Sequence, residues 1–457
     1  MQLLDLWIRI YTTNEKVLKF LMKKTLILIQ LNEINFDLVN KYVDGSKKKF
    51  SNLRHIIENY KNFLTLAEDE YKNQEPWIQW ASVQLGKNFK DHGIFRLGDI
   101  VNHLGQKQIF ETIEKRGYKV GAISPMNAEN RLKNPAYFIP DPWTDTNSDI
   151  SKFSKRLSSL LKQSVNDNSS GKLSFGSLIT IFEIIFKTLH YRNTLFLIRL
   201  IFSSIIKPWK KSLVLDYLIH MVHLHLYKKK NPNFSSIFLN AGAHIQHHYF
   251  YNTKYINNLP KNPNWYINSF SDPIEDMLEV YDKIIGDYIK LCKNEHHLLI
   301  ATGLRQVPYD LIKFYYRLKN HQIFLNKIGI KFLKVLPRMT RDFEIIFETE
   351  NDSIVAKDIL ENIFSKKDNV KIFGEIEERE KSLFITLTYP HEIKKKHLVI
   401  INNNSELNFF NEVSFVAIKN GKHDQKGYVF YSPNLDLKVP KDPIHVSKIF
   451  NMISNIF

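Results

Sequence analysis

From Thr25 onward the chain alternates between two hydrophobic periods, short continuous apolar runs and stretches with apolar residues three and four apart. That pattern predicts strands alternating with helices, the arrangement of a sheet covered on both faces. Thr25 to Leu31 reads as a buried central strand ending in the polar turn Asn32-Glu33-Ile34-Asn35. A helix is expected over Ser51 to Tyr60 and another over Ala81 to Leu85, closed by Gly86. Gln108 to Arg116 is amphipathic and stops at Gly117, after which Lys119 to Ser124 returns as a strand. Later a long helix, Asp276 to Leu291, leads into the strand His297 to Ala301 and the turn Thr302-Gly303-Leu304.

Two regions break this rhythm. Residues 148–230 begin polar, with Asn166 to Gly171 reading as a loop, and then turn helical and apolar, which suggests a helical insertion, a candidate lid. From Arg341 the expected order is strand (Phe343 to Glu348), helix (Ser353 to Ser365), strand (Val370 to Glu375) and strand (Leu383 to Tyr389), a compact α+β insertion. The main sheet is expected to resume at His397 to Asn402. The division is then an N-terminal extension over 1–21, a core over 22–310 and 397–457, and an α+β insertion over 311–396. The fold class is α/β, a three-layer αβα sandwich.

Charge alters this picture little. The net charge is +17, from 64 basic and 47 acidic residues, but the lysines are dispersed and runs such as Lys228-Lys229-Lys230 are short. A solvated basic surface explains that better than a nucleic-acid reader, for which no motif or basic-aromatic stripe is present. One cysteine, Cys292, excludes an intramolecular disulfide and fits a reducing, cytoplasmic setting. No segment reaches the roughly 18 apolar residues of a membrane span. Thr194 to Ile206, followed by Lys207, Trp209, Lys210 and Lys211, has the composition of a peripheral lipid contact, or of a helix packed on the core.

Two distant stretches read as halves of one polar site. Asn240 to Tyr249 carries His244, His247 and His248, and Asn420 to Tyr428 carries His423, each just past a β-rich apolar run. Loops leaving the carboxyl ends of sheet strands would present these rings to a ligand.

With these stretches, the first strand and its Asn32-Glu33 turn, the segment Glu75 to Gly86 and the strand ending at Thr302-Gly303, the chain resembles the alkaline phosphatase superfamily. Within it, the order is most similar to the type I phosphodiesterase and nucleotide pyrophosphatase branch. The resemblance implies an alkaline phosphatase-like sandwich that hydrolyses or transfers phosphate or sulfate esters with divalent metal, usually zinc. It places Asn240, His244 and His423 at one metal, with His247 or His248 compensating for the neutral oxygen of Asn240. The second metal's aspartates and histidine are replaced here by Asn32-Glu33 and Thr302-Gly303, so one cation is expected rather than two. Near the family's nucleophile stand Glu75 and Gln79, with Ser82 as an alternative hydroxyl. Glu33, Glu75 and Gln79 are thus the candidate catalytic residues, by acid and base chemistry if not through a metal. Asn32, Arg96 and Arg305 are candidates to grip the anion. The implied substrate is a phosphate- or sulfate-bearing small molecule, glycan or nucleotide-sugar; the alternative is a catalytically silent relative that binds an anionic sugar or a protein.

Overall fold

The structure, a computed structural model, describes residues 24–46, 48–166, 174–188, 191–292, 296–338, 341–401, 405–438 and 443–457. The expected N-terminal extension, and the Asn166 to Gly171 loop beyond its first residue, lie outside the described residues. The core opens with β1 (Leu26–Leu31), α1 (Phe36–Asp44), α2 (Ser51–Asn59), β2 (Lys61–Leu66), α3 (Pro76–Leu85), α4 (Ile109–Lys115), β3 (Val120–Ile123) and β4 (Tyr137–Ile139). Helices α5 (Lys152–Asn166), α6 (Phe175–Lys187), α7 (Tyr191–Ile206) and α8 (Lys210–Lys230) follow. Then come β5 (Phe234–Leu239), α9 (Ala241–Tyr249), α10 (Pro273–Leu291), β6 (His297–Ala301) and β7 (Arg305–Leu318).

The second half continues with α11 (His321–Lys327), β8 (Lys334–Pro337), β9 (Asp342–Ile346), α12 (Glu350–Glu361), β10 (Phe364–Ser365) and β11 (Glu375–Arg379). It ends with β12 (Ser382–Thr386), β13 (Leu398–Ile401), β14 (Ser405–Asn408), β15 (Val413–Asp424), β16 (Lys426–Tyr431), β17 (Ile444–His445) and α13 (Lys448–Ser454).

The main sheet has eight strands in the order β17-β2-β16-β6-β1-β5-β3-β4. Its centre, β6-β1-β5-β3, is parallel, and β16 enters antiparallel between β6 and β2. The period of two in β1 decides the layering. Ile27, Ile29 and Leu31 point into a core shared with α1, α2, α8, α9 and α10, while Leu26 and Leu28 point into another shared with α3, α4 and α13. Helices therefore cover both faces, as the alternation of elements implied.

The helical insertion is present as α5 to α8. It extends the first helical layer, and its buried Leu157, Leu160, Ile184, Leu197 and Leu213 join that core, so it packs as part of the layer. Beyond β6 the chain differs from expectation. Strands β7 and β15 form a long antiparallel ribbon, and everything between them folds on its own core, including Phe343, Ile345, Leu360 and Leu383. The strand expected to resume the main sheet at His397 to Asn402 instead pairs with β10 and β14 inside this insert. The main sheet resumes only at Lys426. An apolar strand of four residues suits either sheet, and only the pairing partners decide. Likewise Val370 to Glu375 is not a strand; the hairpin partner of β12 is β11, which begins at Glu375.

Candidate active site

The carboxyl ends of β1, β5 and β6 lie side by side, and three side-chain-bearing turns leave them together. Glu33, in the turn two residues past the end of β1, is 2 % exposed and sits in the left-handed region at φ 61°. Such a conformation is costly for a residue with a Cβ and persists only where neighbours hold it. They do so here through the backbone: its N–H donates to Thr302 O at 3.1 Å, and its C=O accepts from Gln306 N at 3.2 Å and Gln246 Nε2 at 2.9 Å. Its carboxylate accepts from Asn32 Nδ2 at 2.9 Å and from Gln306 Nε2 at 2.5 Å.

Two imidazoles close on the same oxygen. His247 Nε2 lies 3.1 Å and His423 Nε2 3.2 Å from Glu33 Oε2, and the three ligand atoms all fall within 4.8 Å of one another. His423 Nε2 has no hydrogen-bond partner of good alignment, and its Nδ1 faces Glu75 Oε2 at 3.6 Å. Burial alone would raise the Glu33 pKa, but His423 and His247 hold its carboxyl well below the usual carboxylate range. Burial alone would lower His423; Glu33 and Glu75 outweigh it and push the imidazole above its ordinary value.

The histidines of α9 sit at positions i, i+3 and i+4, which share one helical face. Their rings form a chain: His244 and His248 are 4.7 Å apart between centroids, His248 and His247 6.2 Å, and His247 and His423 5.1 Å. The ring that meets His423 is therefore His247, one of the two offered as compensating, and not His244 or the other of the two, His248. Burial pushes His244 down to about 4 and His248 well below the imidazole range, with the neighbouring histidines adding to both shifts.

Asn240 does not join the set either. Its Oδ1 accepts from Asn32 Nδ2 at 2.8 Å, and Asn32 Oδ1 in turn accepts from Trp80 Nε1 at 2.7 Å. The pair forms a neutral floor beneath Glu33. Asp216 of α8 supports it, accepting from Asn240 N, Ala241 N and Tyr281 Oη at 3.2, 2.9 and 2.8 Å. Burial pushes that carboxyl up to about 6. Asp216→Ala leaves three buried donors without an acceptor and is expected to lower stability by about 2 to 4 kcal/mol in urea denaturation.

The remaining expected residues separate. Gln79 is fully buried, and its amide is spent on Glu68 N and Asn73 O, so it holds the Glu75 loop and does not face the cluster. Ser82 is also fully buried, bonded to Ile78 O and His92 Nε2. Arg96 is neutralised by Glu377 of the insert, and Arg305 by Asp37 and Asp424. Neither arginine is a free anion grip. The unclaimed cations stand elsewhere, on the ribbon. Lys313, Lys419 and Lys422 Nζ lie 5.2, 4.9 and 5.9 Å from the Tyr309 ring centre, and Arg341 stacks 4.4 Å from Tyr315. Lys422 pairs with Asp310, whereas Lys313 and Lys419 have no acidic partner within 4 Å among the described residues. A cleft of about 480 Å³ is lined by Tyr71, Tyr309, Lys422 and His423, so it shares Tyr309 with these lysines and Lys422 is the one among its lining.

The ribbon approaches α9 so closely that only glycine fits at 421. A Cβ there would lie 2.1 Å from Gln306 Oε1 and 2.8 Å from Gln246 O. Gly421→Ala is expected to force β15 outward, lowering stability by about 1 to 3 kcal/mol and displacing His423 two residues on, as thermal denaturation and turnover would register.

No family model matches the chain, and no curated protein does. Among solved structures it is similar to phosphonoacetate hydrolase from Sinorhizobium meliloti in complex with phosphonoformate, at 9 % identity over 95 % of this chain and 96 % of that one, with a TM-score of 0.42. It is also similar to murine ectonucleotide pyrophosphatase/phosphodiesterase 5, at 11 % identity over 94 % of each chain and a TM-score of 0.39. A TAB5 alkaline phosphatase variant with magnesium bound gives 10 % identity over 95 % of this chain and 98 % of that one, at 0.39.

Proposed function

We propose that the chain hydrolyses or transfers a phosphate or sulfate ester at Glu33, His247 and His423, with one divalent cation held by these three residues. The observation that carries this reading is the shared oxygen: two imidazole nitrogens 3.1 and 3.2 Å from Glu33 Oε2. Donors at that spacing are about an edge apart on a tetrahedron with bonds of about 2.0 Å, and two histidines with one glutamate is a donor set of catalytic zinc sites. When bound, such a cation supplies Lewis-acid polarisation of the ester oxygen. The chain's own groups do the rest. Asn32 and Gln306 fix the carboxylate, and the Glu75 carboxylate, 3.6 Å from His423 Nδ1, holds that ring in place by its charge.

Lys313 and Lys419 would hold the anion as it enters along the cleft. Each lysine-to-alanine change is expected to raise KM about tenfold with kcat within a few-fold, the signature of lost uniform binding. Protein purified without chelator should carry about one transition metal per chain by elemental analysis and should turn over a chromogenic phosphodiester, phosphomonoester or sulfate ester. Absence of both would favour the second reading, a silent binder of an anionic sugar or protein. One observation supports that alternative: Gln79, near the family's nucleophile position, is an amide and no nucleophile, and the alternative hydroxyl Ser82 is fully buried and hydrogen-bonded.

A further inference from the structure

Helix α6 is apolar on both sides. Its inner side carries Ser177, Thr180 and Ile184, with the half-buried Ile181 and Ile185 packed on the same core, and Ser177 Oγ is bonded to Gln163 of α5. Its solvent side carries Phe175, Leu178, Ile179, Phe182 and Phe186, with Phe182 and Phe186 71 % and 77 % exposed. A helix on a water-facing surface ordinarily carries polar residues on its outer side, and one apolar all round is ordinarily covered all round. Helix α7, which buries Leu197 and Leu200 in the core, also exposes Ile198, Phe202, Ile205 and Ile206, and both helices pack on α8. These nine residues are a large share of the 22 exposed large apolar side chains among the described residues, a concentration that scattered surface leucines do not produce.

Charge identifies the occupant. Between residues 174 and 212 the sequence holds six lysines and arginines, Lys187, Arg192, Arg199, Lys207, Lys210 and Lys211, against one acid, Glu183. Lys207 and Lys210 are paired with Asp276, but Arg199 and Lys211 have no acidic partner within 4 Å among the described residues. A second copy of a chain with net charge +17 would bring like charge against like, whereas a surface of acidic headgroups is complementary. No described helix is long and apolar enough to cross a bilayer, so the fit is a helix pair lying on it. We propose that the outer faces of α6 and α7 dock on an anionic membrane surface, their phenylalanines at the acyl boundary and Arg199 and Lys211 toward the headgroups.

The test is flotation of the full chain with phosphatidylcholine vesicles, with and without phosphatidylglycerol. The chain is expected to float with the anionic vesicles and to be released by high salt. Phe182→Ser with Phe202→Ser should lower partitioning at least about tenfold, and Arg199→Glu with Lys211→Glu by about tenfold as well. All four positions are solvent-exposed, so neither pair of changes removes a buried contact. Flotation insensitive to both pairs, or none at all, would overturn the proposal. A dimer by light scattering that the phenylalanine variant dissolves would assign the face to a second copy instead. Flotation gained only after removal of residues 1–23 would assign it to that segment of the same chain.

Discussion

Glu33→Gln is expected to abolish cation uptake and to lower ester turnover by about a thousandfold, the range for removing a preorganised charge at a reacting centre. The amide keeps the shape but replaces the charged oxygen shared by His247 and His423 with a neutral one, and its NH₂ group meets the donors of Asn32 and Gln306. Stability should fall too, by about 3 kcal/mol, as for other buried pairs that lose one partner. The pH dependence in metal-free protein follows from the two shifts. Glu33 is depressed below its ordinary 4.5, so its contribution is present above that value and lost as pH falls through the folded one. His423 is raised above 6.5, so its contribution is complete below 6.5 and lost as pH rises through its folded value. The wild-type advantage over Glu33→Gln should therefore be largest between about pH 4.5 and 6.5, as thermal melts across pH would show. Full metal content and activity in the variant would remove this cluster from the chemistry.

Why the sequence marked Glu33 but did not choose His247 over His244 and His248 is a matter of which forces act locally. A continuous apolar run followed by Asn-Glu announces a buried strand and a polar turn at its carboxyl end, and β1 behaves so. The strand and helix alternation likewise translated into layers, because periods of 2 and 3.6 are local properties. His244, His247 and His248 share one helical face, so periodicity cannot choose among them. The choice comes from the helix phase, set where Gly242 packs against Ile34 and Tyr281 and where Gln246 donates to Glu33 O. The arginines show the same limit. Arg96 and Arg305 stand at plausible positions along the chain, yet acids 281 and 119 residues away neutralise them. Strand β13 went to the wrong sheet for a related reason: four apolar residues carry no address, and the ribbon of β7 and β15 that delays the return to the core is a long-range pairing. Lys313 and Lys419 also lie on that ribbon, which is why they escaped a reading centred on loops at strand ends.

Alanine at His247 or His423 is expected to weaken cation binding by about a hundredfold or more and to cut turnover comparably, while alanine at His244 should change either by less than about threefold. The contrast rests on geometry, since among the described histidines His247 and His423 are the ones that place a nitrogen about 3 Å from the Glu33 oxygen. His244 and His248 face each other at 4.7 Å, and burial keeps both neutral, so they act as packing for the ring chain. The double variant His247→Ala with His423→Ala should be little worse than either single one, because residues that hold one ion fail as a unit. Isothermal titration with zinc and parallel kinetics on the four proteins provide the readout. A large loss at His244 with little at His247 would restore the ligand set that the family resemblance implied and would mean that the Glu33 oxygen is only a hydrogen-bond partner for two imidazoles.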